Sequence, residues 1–242
     1  MSQSVAGLFL VLIAVANAAV KVPMTIYYES LCPDSAKFIT EQIYPPVKGE
    51  LRDYVDITWI PFGRSHFTTQ GADVLFECHH GPNECYGNKV HACAIEHIQA
   101  NSYQIEFTRE SLTLDFINCM MKAGKNFDDN VYPGARCARD NHISTWENIQ
   151  QCANSTEGSF LLKRHGEATN QFQNPLKSVP TIVFKQQFDA KENENAMSNF
   201  LSVACKYIPQ PQPKICMALN SAVTTTVTPI LGLLGYMLVR LF

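Results

Sequence analysis

The chain has no surplus of positive charge. Its 242 residues hold 19 Lys and Arg against 22 Asp and Glu, a net charge of −3, with no long basic run. Nucleic acid is therefore set aside as a partner. It has no internal repeat, so solenoid and propeller architectures are set aside as well. Its N-terminal apolar run, Ala6 to Ala16, is too short to span a bilayer comfortably. No Lys or Arg precedes that run, but Ala16-Asn17-Ala18 supplies a small-x-small cleavage pattern. Residues 1–18 thus read as a signal peptide, with a mature chain starting near Ala19; the competing reading is a buried core helix.

The other end is apolar from Thr228 to Phe242 except for Arg240, behind Thr224-Thr225-Thr226. Three readings stand side by side for 217–242. One is a lipid-anchor signal attached around Asn220-Ser221-Ala222. Another is a short membrane span with Arg240 at the interface, and the third is a propeptide tail that is cut off. Membrane contact is expected only through this tail. The folded domain is expected over 19–216, with ample apolar residues for one sizeable core.

Cysteine is plentiful. Nine are present, and behind a signal peptide their default state is disulfide. An odd count leaves one over. Cys32 stands far from the rest and has the surroundings of a reactive site, so Cys78, Cys85, Cys93, Cys119, Cys137, Cys152, Cys205 and Cys216 are the disulfide candidates. Their connectivity stays open, because eight cysteines pair in about 105 ways. Asn154-Ser155-Thr156 is an N-glycosylation acceptor, with Asn154 expected on the surface.

Val22 to Glu29 alternates like a strand, with Met24, Ile26 and Tyr28 on one face. Cys32-Pro33-Asp34-Ser35 follows, then a helical pattern through Ile43 that Pro45-Pro46 is expected to end. Val55 to Ile60 alternates again. The three make a βαβ unit with Cys32 at the first strand-to-helix junction. Far downstream, Ser178 to Phe184 reads as a short strand behind Val179-Pro180, and Gln187-Phe188 as the strand returning. Met197, Phe200, Leu201 and Ala204 fit a closing amphipathic helix. Between them, about 64–173 shows no strand pattern and holds six of the nine cysteines. It reads as a mostly helical, disulfide-rich insertion. One helix is expected around Leu114, Phe116, Ile117 and Met121, and another around Trp146, Ile149 and Ala153.

A thiol becomes a nucleophile only on losing its proton. At the usual pKa of about 8.5, roughly one thiol in three thousand is ionised at pH 5. A helix N-terminus favours the thiolate through its unpaired N–H groups and dipole, and Pro33 suits the first helical position. Asp34 works against ionisation by its charge.

Cys78 to Cys93 is the most distinctive run. Zinc is one reading of its Cys and His content, but the cysteine spacings match no standard finger, and no metal is expected. The run resembles the signature of the gamma-interferon-inducible lysosomal thiol reductase family, C-Q-H-G-x2-E-C-x2-N-x4-C. Cys78, His80, Gly81, Glu84, Cys85, Asn88 and Cys93 match in register, and His79 stands where the family has Gln. The resemblance extends to Tyr27-Tyr28-Glu29-Ser30-Leu31-Cys32 and to Val179-Pro180-Thr181, and spans about 22–216.

It implies an α/β, thioredoxin-like fold with the helical, disulfide-rich insertion, in a glycoprotein that is secreted or lysosomal. It implies reduction of protein disulfides there, in host defence. In such folds a cis-proline lies beside the reactive sulfur, which gives Pro180 the role of shaping the substrate groove. No cofactor is implied beyond an external small thiol. The family's active site is C-x-x-C, so Cys32 matches the attacking cysteine and Ser35 stands at the resolving one. His80 is read as structural. Ser35 can hydrogen-bond a thiolate but cannot resolve a mixed disulfide. Two functions follow as expectations. One is a single-cysteine thiol–disulfide oxidoreductase acting with disulfide-containing proteins and small thiols. The other is a catalytically weak relative that acts as a secreted binding or immune-modulating protein.

Overall fold

Every second residue of the first strand faces one core. Val22, Met24, Ile26 and Tyr28 are buried there, while Tyr27 is buried on the opposite face. This strand, β1 (Val22–Tyr28), leads into a helical segment: α1 (Pro33–Lys37), a π-helical stretch (Phe38–Ile43) and α2 (Tyr44–Lys48). The chain returns as β2 (Val55–Pro61), parallel to β1 from Val22 opposite Val55 to Tyr28 opposite Pro61. These positions belong to a computed structural model that describes residues 20–71, 73–100, 107–124 and 133–221. The signal segment read at 1–18 and the tail from 222 onward lie outside them.

Pro45-Pro46 does not end the helix. In the π turn the Tyr44 N–H bonds to the Ile39 carbonyl, five residues back. Both prolines then fall in the first turn of α2, where a missing N–H costs no intrahelical bond.

The insertion opens with a hairpin, which corrects the expectation that it holds no strand. β3 (His66–Gln70) pairs antiparallel with β4 (Asp73–Glu77). Its strands are largely exposed, so no alternation of apolar and polar residues marks them. Helices follow: α3 (Pro82–His97), α4 (Arg109–Ala123), α5 (Gly134–Asp140), α6 (Trp146–Ala153) and α7 (Thr156–Phe172). The two expected helices are α4 and α6. Their own core gathers Val90, Leu112, Phe116, Ile149 and Leu161.

Four disulfides staple the chain: Cys78–Cys85, Cys93–Cys152, Cys119–Cys137 and Cys205–Cys216. Cys93–Cys152 spans 59 residues and ties α3 to α6. Chain entropy gives it about 4 kcal/mol, against about 2 kcal/mol for the shortest loop. Cys78–Cys85, at a separation of 7, therefore acts chiefly on local shape.

The chain re-enters the sheet as β5 (Thr181–Phe184), antiparallel to β1 with Tyr27 opposite Thr181, giving the order β2-β1-β5. The expected returning strand is only a bridge between Phe184 and Gln187, because Lys185 and Gln186 turn the chain at once with φ of 49° and 61°. α8 (Ala190–Tyr207) closes the frame, burying Ala196, Phe200, Val203 and Ala204, with Phe200 against Phe184 of β5 and Phe38 of the π-helical stretch. Residues 214–221 are helical, and Cys216 and Leu219 pack on the same core, so the folded part runs past residue 216. A parallel β1–helix–β2 unit with an antiparallel β5 and a closing helix is a thioredoxin-like α/β frame carrying a mostly helical, disulfide-rich insertion. No helix of the described residues is long and apolar enough to cross a membrane.

Candidate active site

Cys32 is the free cysteine; the other eight are bonded in pairs. It occupies the N-cap of α1, with extended backbone (φ −67°, ψ 122°) and Pro33 in the first turn. Its carbonyl accepts the Ala36 N–H at 2.9 Å, which starts the helix. The thiol therefore sits beside the unpaired N–H groups that open the helix. Its residue is only 6 % exposed, so a protein disulfide reaches it only if the loop yields.

Ser35 is fully buried one turn further on. Its hydroxyl oxygen accepts the Glu29 N–H at 3.5 Å. Asp34 is exposed at the helix start. Pro180 is buried, and the Val179–Pro180 peptide is cis. The Tyr27–Thr181 register puts it just beyond the ladder, at the end of β1 that leads to Cys32. Asn154 is exposed at the end of α6, where its amide donates to the Gln150 carbonyl.

The turn from β1 to Cys32 is held from several sides by residues that composition alone does not single out. The Ser30 N–H donates to Asn88 Oδ1 at 2.9 Å, and Ser30 Oγ donates to the Glu84 carbonyl at 3.2 Å. The Glu29 carbonyl accepts the Cys32 N–H at 3.4 Å. Glu29 Oε1 accepts the Arg64 N–H at 2.7 Å. Gly63 (φ +61°) lets the chain approach, since a Cβ there would lie 2.2 Å from Glu29 Cγ. Behind the loop, Tyr28 Oη and His91 Nδ1 are 2.9 Å apart. Burial holds the His91 imidazole low, at about 3, so it is neutral there.

The signature residues are thus the loop's counterpart. Gly81 (φ +85°) turns the chain into α3. Glu84 accepts the His80 N–H at 3.0 Å, and its other oxygen stands 2.6 Å from His80 Nδ1. Cys78–Cys85 closes the same turn, so neither sulfur is available as a thiolate ligand. The signal for Glu84 and Asn88 was in the signature spacing. Gly63 and Arg64 carried none.

A separate cleft of about 1020 Å³ runs along β2 and the start of α4, past Lys21, Asp56, Thr58 and Arg109. None of its lining residues belongs to the Cys32 loop.

A free cysteine at the N-cap position of the first helix of a thioredoxin-like frame defines a protein of thiol–disulfide chemistry. The chain belongs to the gamma interferon inducible lysosomal thiol reductase (GILT) family, whose model matches residues 23–156. It is 63 % identical over 241 residues to GILT-like protein 1 of Drosophila melanogaster, covering 98 % of this chain and 96 % of that one. It is 55 % identical over 201 residues to the gamma-interferon-inducible lysosomal thiol reductase-like protein of Anopheles gambiae, covering 83 % and 82 %. Among solved structures, oxidised BdbD from Bacillus subtilis is similar at a TM-score of 0.48 and 13 % identity, over 75 % of this chain and 89 % of that chain.

Proposed function

We propose that this chain is a single-cysteine thiol–disulfide oxidoreductase that reduces or isomerises protein disulfides in the endosomal–lysosomal or extracellular space, in host defence. The single observation that carries it is Cys32: one free thiol, on a helix N-cap, in a chain whose other eight cysteines are locked in pairs. The four disulfides and the Asn154 acceptor support a secretory route, and the family's description supports a lysosomal one.

The Cys32 thiolate attacks one sulfur of a substrate disulfide. A Cys32–substrate disulfide forms, and the other substrate sulfur leaves as a thiolate that takes a proton. Ser35 has no sulfur to displace the bound half. A small external thiol does so instead, freeing Cys32 and leaving a small-thiol–substrate disulfide. A second small thiol reduces that. In balance, one substrate disulfide becomes two thiols while two small thiols become one disulfide. Ser35 supports the Cys32 thiolate by its hydroxyl, and Pro180 shapes the groove that receives the substrate strand.

A second reading has its own observation. Cys32 is 6 % exposed and lacks a resolving partner, which suits a weakly catalytic protein that binds rather than turns over. The test separates them. Purified chain is incubated with a disulfide-bonded protein and excess glutathione at acidic and neutral pH. Native chain should accelerate reduction, with a rate that rises with glutathione concentration. Ser35→Cys should weaken that dependence. A Cys32→Ser chain as fast as the native one would sink the enzyme reading.

A further inference from the structure

Beside the thiol lies a cluster that the reaction above does not use. Glu29 Oε2 stands 3.3 Å from Nδ1 of His79 and 3.3 Å from Nδ1 of His80. One candidate ligand atom from each of the three residues lies within 4.8 Å of the other two. Imidazole nitrogen and carboxylate oxygen bound tetrahedrally to zinc, at their ordinary bond lengths, stand about 3.3–3.5 Å apart. Two of the three separations already have that length.

Charge points the same way. Glu29 and Glu84 are both fully buried. Two buried carboxylates in one site call for a cation between them. Glu84 Oε2 is 2.6 Å from His80 Nδ1, near enough to orient that ring or to add a fourth oxygen after a small shift. The histidine side chains are 43 % and 31 % exposed, so an ion can arrive from solvent. The donors are also held in place. Glu29 Oε1 is fixed by the Arg64 amide, and the histidines directly follow Cys78, which is bonded to Cys85.

We propose that Glu29, His79 and His80, with Glu84 behind them, form a binding site for a zinc-class divalent cation beside the Cys32 loop. Ligation through Nδ1 requires the imidazole tautomer that carries its hydrogen on Nε2. The cation ties the β1–α1 turn, through Glu29, to the turn that carries the family signature. His79 departs from the family pattern in a way that suits the site. The family pattern has Gln there, and a neutral amide is a poorer zinc ligand than imidazole.

The test is a calorimetric titration of zinc into the tag-free secreted chain at neutral pH. One zinc per chain is expected for the native protein and for Cys32→Ser, which removes the free thiol as a competing ligand. His79→Gln, which restores the family residue at an exposed position, should bind at least tenfold more weakly. Zinc should also raise the unfolding midpoint of the native chain, a readout that needs no variant. No zinc bound by the native chain would overturn the proposal. So would binding that survives His79→Gln but is lost in Cys32→Ser, since the thiol would then be the ligand. Neither result bears on turnover, so the site and the oxidoreductase reading stand or fall separately.

Discussion

Asn88→Ala is the sharpest probe of how Cys32 is held. Asn88 is fully buried and Ser30 nearly so, and the Ser30 N–H reaches Asn88 Oδ1 at 2.9 Å. Asn88 Nδ2 has no partner, so truncation forfeits nothing on that side. It strands the Ser30 N–H, and an orphaned buried donor costs about 1–3 kcal/mol. Ser30 Oγ keeps its bond to the Glu84 carbonyl, so part of the tether survives. The lower part of the range, about 1–2 kcal/mol, is expected. If the cost falls on the loop, its open population rises about 5–30-fold, because 1.4 kcal/mol is a factor of ten. Cys32 reacts only when the loop yields, so its alkylation by iodoacetamide under native conditions should accelerate by that factor. The unfolding midpoint should fall by roughly 2–8 °C for a domain of this size. Asn88→Asp restores the acceptor but buries another carboxylate near Glu84. Thiol reactivity should return toward native while stability does not. If the midpoint falls but Cys32 alkylation in Asn88→Ala stays at the native rate, the signature does not hold the nucleophile loop and the reasoning fails.

Two further outcomes follow from the same surroundings. His91 is neutral in the fold, with a pKa lowered by burial from 6.5 to about 3, so the unfolded chain takes up a proton near pH 6.5 that the native chain refuses until about pH 3. Stability is therefore full above that window and falls as pH drops through it, by about 2 kcal/mol at pH 5. Urea unfolding of native and His91→Asn chains between pH 7 and 4 should show a flatter slope in the variant; equal slopes would rule His91 out as the titrating group. Gly63→Ala forces a left-handed backbone on a side chain and places its Cβ 2.2 Å from Glu29 Cγ. A loss of about 2–4 kcal/mol is expected. An unchanged unfolding midpoint would mean that Glu29 does not pack there.

What the sequence revealed divides along physical lines. β1, β2 and β5 were legible because burial on one or both faces imposes a period or a short apolar run. The hairpin β3–β4 was not, because exposed strands carry no such constraint. Pro45-Pro46 misled for a related reason. A proline rule assumes one continuous α-helical register, and the π turn at Phe38–Ile43 resets it. At the site, Cys32, Ser35 and Pro180 could be read from local context. The contacts of Glu29 with Gly63, Arg64, His79 and His80 could not, since they join segments 34–51 residues apart and leave no local periodicity.

The signature and the Tyr27–Cys32 run make sense as two halves of one structure. The sheet holds the first strand-to-helix turn from one side, where β1 pairs with β2 and β5. Here the insertion supports it from the other side. Asn88 takes the Ser30 amide, Glu84 takes the Ser30 hydroxyl, and the His79–His80 turn faces Glu29. Cys78–Cys85 and Gly81 set the shape that allows this. Ser35 alters none of these contacts. Its oxygen even accepts the Glu29 amide, within the same turn. Serine at position 35 is therefore compatible with the contacts that hold Cys32, and it lacks the sulfur that a C-x-x-C site has there. Under the proposed single-cysteine mechanism, such a chain forms mixed disulfides whose lifetime is set by the surrounding small thiols. Dependence on their concentration, more than the rate of attack, is then the property that separates this chain from a C-x-x-C relative.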